Sequence, residues 1–210
     1  MSAQKSLFDL SVIDPAGDFG IAQLRSQCEQ CVRCPLAASR KQALLGNGRT
    51  SSPDICFVGE APGYLEDERG TLFVGPAGQV LDKMVAALGY TRETVYVCNA
   101  VACRPPGNRP PEKGELDACY PFLLGQLRAV RPQVVVALGE TAVHAMIGGK
   151  KKITELRGKW FDWEGWPVMP TFHPAQVARS ELDPSGGRDI KKSVWADLQQ
   201  VLTRLGKTSP

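Results

Sequence analysis

Seven cysteines occur among 210 residues, and five of them fall in two short stretches. Cys28, Cys31 and Cys34 are spaced C-x2-C-x2-C, with Pro35 following. Cys103 and Cys119 bracket "RPPGNRPPEKGELDA", whose first part, "RPPGNRPP", is a proline-rich, basic loop. Four thiolates in tetrahedral array suit either zinc or an iron–sulfur cluster. Zinc sites usually use two short knuckles. Here only one half is a knuckle, and the other spans a loop and a helix, which a larger cluster tolerates better. On the chemistry alone, cluster, zinc and metal-free thiols all stay open. An odd cysteine count without an export signal argues against a disulfide framework. Cys56 and Cys98 sit in apolar runs and read as small core residues.

A second set of chemically capable residues follows apolar runs directly. "DICFVGE" leads into "GEAPGYLEDERGTLFVGPAG" (59–78), which carries Glu60, Glu66, Asp67 and Glu68. No Gly-Lys-Ser/Thr follows its glycines, so it is not a Walker loop, and it is too acidic to cradle phosphate. Gly59 and Gly63 permit close backbone approach to a ligand. "TVYVCNA" ends near Asn99, an amide that can form a turn or face an imide edge. "VMPTF" runs straight into His173. Phe73 reads as a core aromatic or a stacking plate for a base. His144 sits inside a helical stripe and reads as structural. "GGKKKITELRGK" (148–159) holds five basic residues and one acid, a solvated loop or a phosphate grip.

The elements that must position these residues alternate. Short apolar runs predict strands at 54–60, 94–100, 133–140 and 168–172, the last closing a hairpin suggested by "GKWFDWEGWPVMPTFHP". Helical spacing predicts helices at 78–90, 112–130 and 189–205, with a short one over "TAVHAMIG". The fold class expected is α/β, three layers α/β/α around a central, mainly parallel four-stranded sheet. Residues 1–20 read as a flexible leader and 21–205 as a single domain. Active residues in such sheets lie at the carboxyl ends of strands, which is where Glu60, Asn99 and His173 fall. Net charge is +3, so any polyanion site must be a local patch. No apolar run is long enough to cross a membrane, and the first residues lack a secretory signal, so a cytoplasmic protein is expected. No exposed apolar helix or heptad asks for a partner, so a monomer is expected.

Together these pieces resemble the family 4 uracil-DNA glycosylases, the bacterial and archaeal iron–sulfur branch of that superfamily. The resemblance runs from about residue 21 to 204 and rests on "GEAPGYLEDERGTLFVGPAG", "CNAVACRPPGNRPP", "FHPAQVAR" and "CVRCPLAASR". It implies a uracil-DNA glycosylase-like fold and a monofunctional glycosylase. Such an enzyme flips uracil out of single- or double-stranded DNA, hydrolyses the N-glycosidic bond and leaves an abasic site. It implies a [4Fe–4S] cluster on Cys31, Cys34, Cys103 and Cys119, with Cys28 spare. It implies catalytic roles for Glu60, Asn99 and His173, and a base pocket of Glu60, Ala61, Pro62, Glu66, Phe73, Asn99 and His173. In that pocket Glu66 would block the C5 position of thymine. DNA contacts would come from Arg104, Arg109, Lys151, Lys152, Gln176 and Arg179. Gln176 stands where the family often has tyrosine, and Val177 and Ala178 replace bulkier residues in the loop expected to enter DNA. Thr154 stands in the basic loop where a sister branch carries a covalently reacting histidine. The rival readings are a non-catalytic DNA-binding iron–sulfur module and a zinc-stabilised hydrolase of free nucleotides.

Overall fold

Parallel strands form where the chain is apolar without alternation, because both faces of such a strand are covered. Every residue of β2 (Ile55–Gly59), β3 (Tyr96–Asn99) and β4 (Val134–Leu138) is buried. These strands and β6 (Trp166–Thr171) lie in the order β3-β2-β4-β6, all parallel. The computed structural model describes residues 20–180 and 187–208. Apart from Gly20, the leader expected over residues 1–20 lies outside them.

The sheet has six strands where four were expected, because two short antiparallel pieces extend its edges. β1 (Asn47–Gly48) pairs with β3, and β5 (Phe161–Trp163) forms with β6 the hairpin that its sequence suggests. The four-stranded parallel centre is as expected.

Connection order decides which face each helix covers. The step from β2 to β3 runs one way along the sheet, through α2 (Tyr64–Arg69) and α3 (Pro76–Ala87). The step from β3 to β4, through α4 (Lys113–Val130), runs the other way, as does that from β4 to β6. Right-handed crossovers therefore put α3 on one face, and α4 and α5 (Gly139–Ile147) on the opposite face. Contacts agree. α3 meets α7 (Pro174–Ser180), and α7 meets α8 (Gly187–Arg204). On the other side α4 meets both α1 (Ile21–Glu29) and α5. The reversal of direction opens a crevice outside the carboxyl ends of β2 and β4, where ligands bind in open α/β sheets.

Three segments differ from their sequence reading. The acidic stretch after β2 contains the short helix α2. The basic stretch 148–159 contains α6 (Ile153–Leu156). The segment expected to enter DNA as a loop is the helix α7, and its Val177 is only 4% exposed, packed in the core. Val177 therefore cannot act as a wedge.

Candidate active site

Asn99 ends β3 beside Gly59, its register partner at the end of β2. The ladder continues past both ends, with the N–H of Ala100 and Val101 donating to the carbonyls of Gly59 and Glu60 at 2.9 and 3.2 Å. A Cβ placed on Gly59 would lie 2.6 Å from Phe73 Cζ and nearer still to Asn99 Oδ1. The ring and the amide thus converge on one bare patch of backbone, and the glycine is what lets them in. Asn99 is 6% exposed, and its Oδ1 is buried without a hydrogen-bond partner. A buried acceptor left open costs about 1–3 kcal/mol unless a ligand fills it.

Phe73 is held in a backbone conformation that bulky residues avoid, with φ at 55°. Its carbonyl lies so close to Gly78 that no side chain fits there. The motif "FVGPAG" explains this locally. Gly75 caps α3, Pro76 starts it, and Gly78 lets the helix press on the Phe73 backbone. Behind the ring, the Arg92 guanidinium carbon lies 5.8 Å from its centroid, and Arg92 Nη2 donates to Leu72 O at 3.1 Å.

His173 follows β6 and faces Phe73, with ring centroids 6.3 Å apart and planes 27° from parallel. Its Nδ1 accepts the Ala175 N–H at 3.1 Å. Nδ1 is therefore unprotonated, and the neutral ring carries its proton on Nε2. Burial pulls the His173 pKa down to about 4, with Arg179 adding to the effect. The imidazole is neutral throughout the neutral range. Half-buried, it leaves the trio open to the surface.

The remaining predicted pocket residues are placed as follows. Glu60 reaches across the β2–β4 crevice and accepts from the Thr141 hydroxyl at the start of α5. Ala61 is half-buried and Pro62 buried. Glu66 binds three backbone N–H groups, of Gly63, Val74 and Gly75, at 3.2, 3.2 and 3.3 Å. It therefore clasps the two ends of the loop that carries Phe73. Thr141 was not anticipated, since a serine or threonine opening a helix usually signals only a cap.

The predicted DNA contacts separate. Arg104 Nε donates to Asn108 Oδ1 at 2.7 Å, and its guanidinium carbon lies 5.0 Å from the centroid of the Tyr64 ring. Arg109 does not stand as a free cation. It forms a two-pronged pair with Glu115, at 2.9 and 2.6 Å, and lies 3.4 Å from Glu112. The Arg109 guanidinium, opposing the cost of burial, holds the Glu115 carboxyl below its ordinary range. That guanidinium is thus shared between two carboxylates, while about a third of the Arg109 side chain stays exposed. Lys151 and Lys152 are exposed on a segment docked near the rim. His144 Nε2 is 2.9 Å from Lys151 O, and Ile153 N donates to Glu140 Oε1 at 2.9 Å. Gln176 is half-buried and Arg179 exposed on α7.

Beside the trio lies a cleft of about 610 Å³, flanked by Tyr64, Leu65, Lys83, Asn108 and Arg179.

Cys28, Cys31, Cys34, Cys103 and Cys119 line one small cavity with Arg33 and Arg40. Arg40 Nη1 donates to Cys103 Sγ at 3.0 Å, and Ala102 N donates to Cys119 Sγ at 3.3 Å. Arg33 Nη1 is buried there without a partner. Among the described residues no three side chains converge closely enough to ligate a single metal ion.

The chain matches the family model of the uracil DNA glycosylase superfamily over residues 45–199. It is 40% identical to the type-4 uracil-DNA glycosylase of Thermotoga maritima over 181 residues, covering 85% of this chain and 91% of the relative. It is 38% identical to that of Saccharolobus solfataricus over 161 residues, covering 72% and 74%. To that of Archaeoglobus fulgidus it is 38% identical over 171 residues, covering 77% and 85%. With so much of both chains matched at these identities, the chain belongs to the uracil-DNA glycosylase superfamily and, within it, to the type-4 group.

Proposed function

We propose that the chain excises uracil from DNA by hydrolysing the N-glycosidic bond, and that Asn99, Phe73 and His173 hold the extruded base. The observation that carries this reading is the Asn99 Oδ1, buried, unpartnered and beside an aromatic ring. An imide offers an N3–H to that oxygen and an O4 to the same amide's N–H. Cytosine offers neither in those places. A duplex hides the glycosidic bond, so the nucleotide turns out of the stack first, at a cost of a few kcal/mol. Phe73 then stacks on the base, with the backbone of Glu60, Ala61 and Pro62 beside it.

Bond breaking leaves positive charge on the sugar and negative charge on the departing uracil. The neutral His173 donates its Nε2–H to O2, where that charge develops. One such donor is worth about 2.7–4 kcal/mol. Neutrality matters, because its orientation is fixed by Ala175 N–H and it needs no proton from solvent. Water attacks C1′ with Glu60 as the group we assign to orient it, itself positioned by Thr141. An abasic site and free uracil result. Glu66 acts through the loop it clasps, holding the wall near C5, where an apolar slot alone would reject the thymine methyl by only about 1–3 kcal/mol.

The cysteine cavity fits an iron–sulfur group. Five thiols surround it, N–H groups already point at two sulfurs, and Arg33, whose guanidinium lies over the Phe122 ring, lines it with one nitrogen, Nη1, buried and without a hydrogen-bond partner. Thiolates around a single zinc would meet at about 2.3 Å from one point, whereas a cluster keeps them apart. We assign a [4Fe–4S] cluster to Cys31, Cys34, Cys103 and Cys119, with Cys28 as a buried neighbour. Bound there, it supplies a tether between the N-terminal knuckle, the 104–111 loop and α4. Arg104, Gln176, Arg179, Lys151 and Lys152 remain the cations and amide offered to the DNA. Residues 21–205 act as one catalytic domain and as a monomer. Free thiols throughout fit a cytoplasmic setting, and no described helix is long and apolar enough to cross a membrane.

A non-catalytic DNA-binding module would use the same cations but would need neither an open amide nor an oriented imidazole. The test is incubation with a uracil-containing oligonucleotide, followed by hot alkali. Strand scission that is lost in Asn99→Ala supports excision. Binding without scission by the unaltered chain supports the module.

A further inference from the structure

Tyr64 and Leu65 have no role in the chemistry above, yet both are large, apolar and exposed. Tyr64 is 53% exposed and Leu65 36%. Among the described residues only Val32 joins them as an exposed large hydrophobic side chain. Both open α2 and line the cleft beside the base pocket, facing Ala175, Ala178 and Arg179 of α7. The cleft adjoins the trio through the chain on either side of it, since Gly75 and Ala175, each two residues from Phe73 and His173, line its wall. Resting on the glycosylase reading, we propose that this cleft is a nucleotide-stacking subsite. In it Tyr64, backed by Leu65, takes the base next to the extruded uracil on the same strand.

Three observations point to a nucleotide as occupant. The first is charge. The apolar wall is flanked by Lys83 and Arg179, cations suited to a phosphate, and the carboxylate that also lines the cleft, Glu66, is taken up by three backbone N–H groups. The second is the missing wedge. Unstacking a base leaves a gap that an inserted or stacked side chain fills, and α7 has no exposed large apolar residue for it, since Val177 is buried and Ala178 is small. The third is rigidity. Exposed side chains on a loose loop gain little from stacking, because ordering them costs entropy. Here α2 is fixed from both sides. Glu66 clasps Gly63, Val74 and Gly75, and buried Asp67 accepts the N–H of Lys41 and Gln42 at 2.9 and 3.0 Å. The Arg104 guanidinium steadies the Tyr64 ring, and Arg104 is itself held by Asn108 in the cysteine-bracketed loop. Base–aromatic stacking tolerates any sequence, because every base has a π-face, so the subsite strengthens binding without reading sequence.

The test uses single-stranded oligonucleotides with one uracil and 2-aminopurine immediately on its 5′ or 3′ side. Single-turnover uracil release and 2-aminopurine fluorescence are followed for the unaltered chain, Tyr64→Ala and Tyr64→Phe. Stacking on Tyr64 is expected to quench the probe on one side of the uracil and not the other. Tyr64→Ala should abolish that quench and raise the half-saturating concentration about ten-fold or more, leaving the saturating rate within about three-fold. Tyr64→Phe should behave as the unaltered chain. An unchanged half-saturation and quench in Tyr64→Ala overturns the proposal while uracil release still supports the glycosylase reading. A loss confined to the saturating rate also overturns it, since that places Tyr64 on the extruded base. No uracil release by the unaltered chain overturns the underlying reading.

Discussion

Gly59→Ala perturbs the base pocket with a single methyl group. The new Cβ would stand 2.6 Å from Phe73 Cζ and closer to Asn99 Oδ1. To reach ordinary van der Waals contact, the ring must retreat by about 0.8 Å and the amide by somewhat more. Neither has room to move freely. Phe73 is pinned by Gly78 and Arg92, and Asn99 ends a buried strand. Overpacking of this kind costs about 1–3 kcal/mol of stability, which a domain of this size survives. Misplacing a binding group by about 1 Å costs on the order of 100-fold in rate. The expected result is therefore a folded protein with a slightly lowered melting temperature and uracil excision reduced about 100-fold or more. The assays are single-turnover release of uracil from an oligonucleotide and a thermal melt of the same preparation. An alanine variant that keeps the unaltered rate would refute the placement of the base between Phe73 and Asn99.

Further outcomes follow from the other groups. His173→Ala is expected to slow excision by about 100- to 1000-fold at saturating DNA. Because the His173 pKa lies at about 4, single-turnover rates should show no inflection near pH 6.5 from this ring. Such an inflection, absent in His173→Gln, would contradict the neutral donor. Glu115 is 3% exposed and its carboxyl is held low chiefly by Arg109. Its pairing therefore stabilises the fold fully above the ordinary glutamate range, and that stability is lost as pH falls through the lowered value of the folded state. Denaturant melts should show this acid-side loss in the unaltered chain and a smaller one in Glu115→Gln. The unaltered protein, purified without oxygen, should be brown. Cys103→Ala should lose that absorbance and become protease-sensitive between residues 104 and 111, whereas a colourless unaltered protein with bound zinc would reverse the assignment.

Much of the fold was legible because burial on both faces leaves a plain mark. "ICFVG", "YVCN" and "VVVAL" are short apolar runs between turn residues, and each is a strand of the parallel centre. The helical stripes of α3 and α4 were equally visible. β1 was not, since a two-residue antiparallel pair at an edge leaves no pattern. α2 and α6 were hidden because each holds only one to two turns, kept in place by tertiary bonds. Asp67 to Lys41 and Gln42, and Glu140 to Ile153, are examples. α7 was taken for a DNA-entering loop, and its burial of Val177 against the core depends on α3, far away in sequence.

The site divides in the same way. Asn99, His173 and Glu60 were readable because strand ends in parallel sheets converge on one rim. Phe73 was ambiguous until its positive φ and its closeness to Gly59 placed it there. The pairing of Arg109 was not legible, because composition gives a basic loop but not the identity of a partner. Buried Glu115 claims that charge. Thr141, Tyr64 and Leu65 went unnoticed, since their importance lies in what surrounds them.

The most direct measurement is release of free uracil, quantified by chromatography, from a uracil-containing oligonucleotide by the unaltered chain and by Asn99→Ala under single-turnover conditions. Stoichiometric uracil from the former, and a loss of at least about 100-fold in the latter with DNA binding retained, is expected. Equal release by both would contradict the claim that the open amide of Asn99 recognises the base.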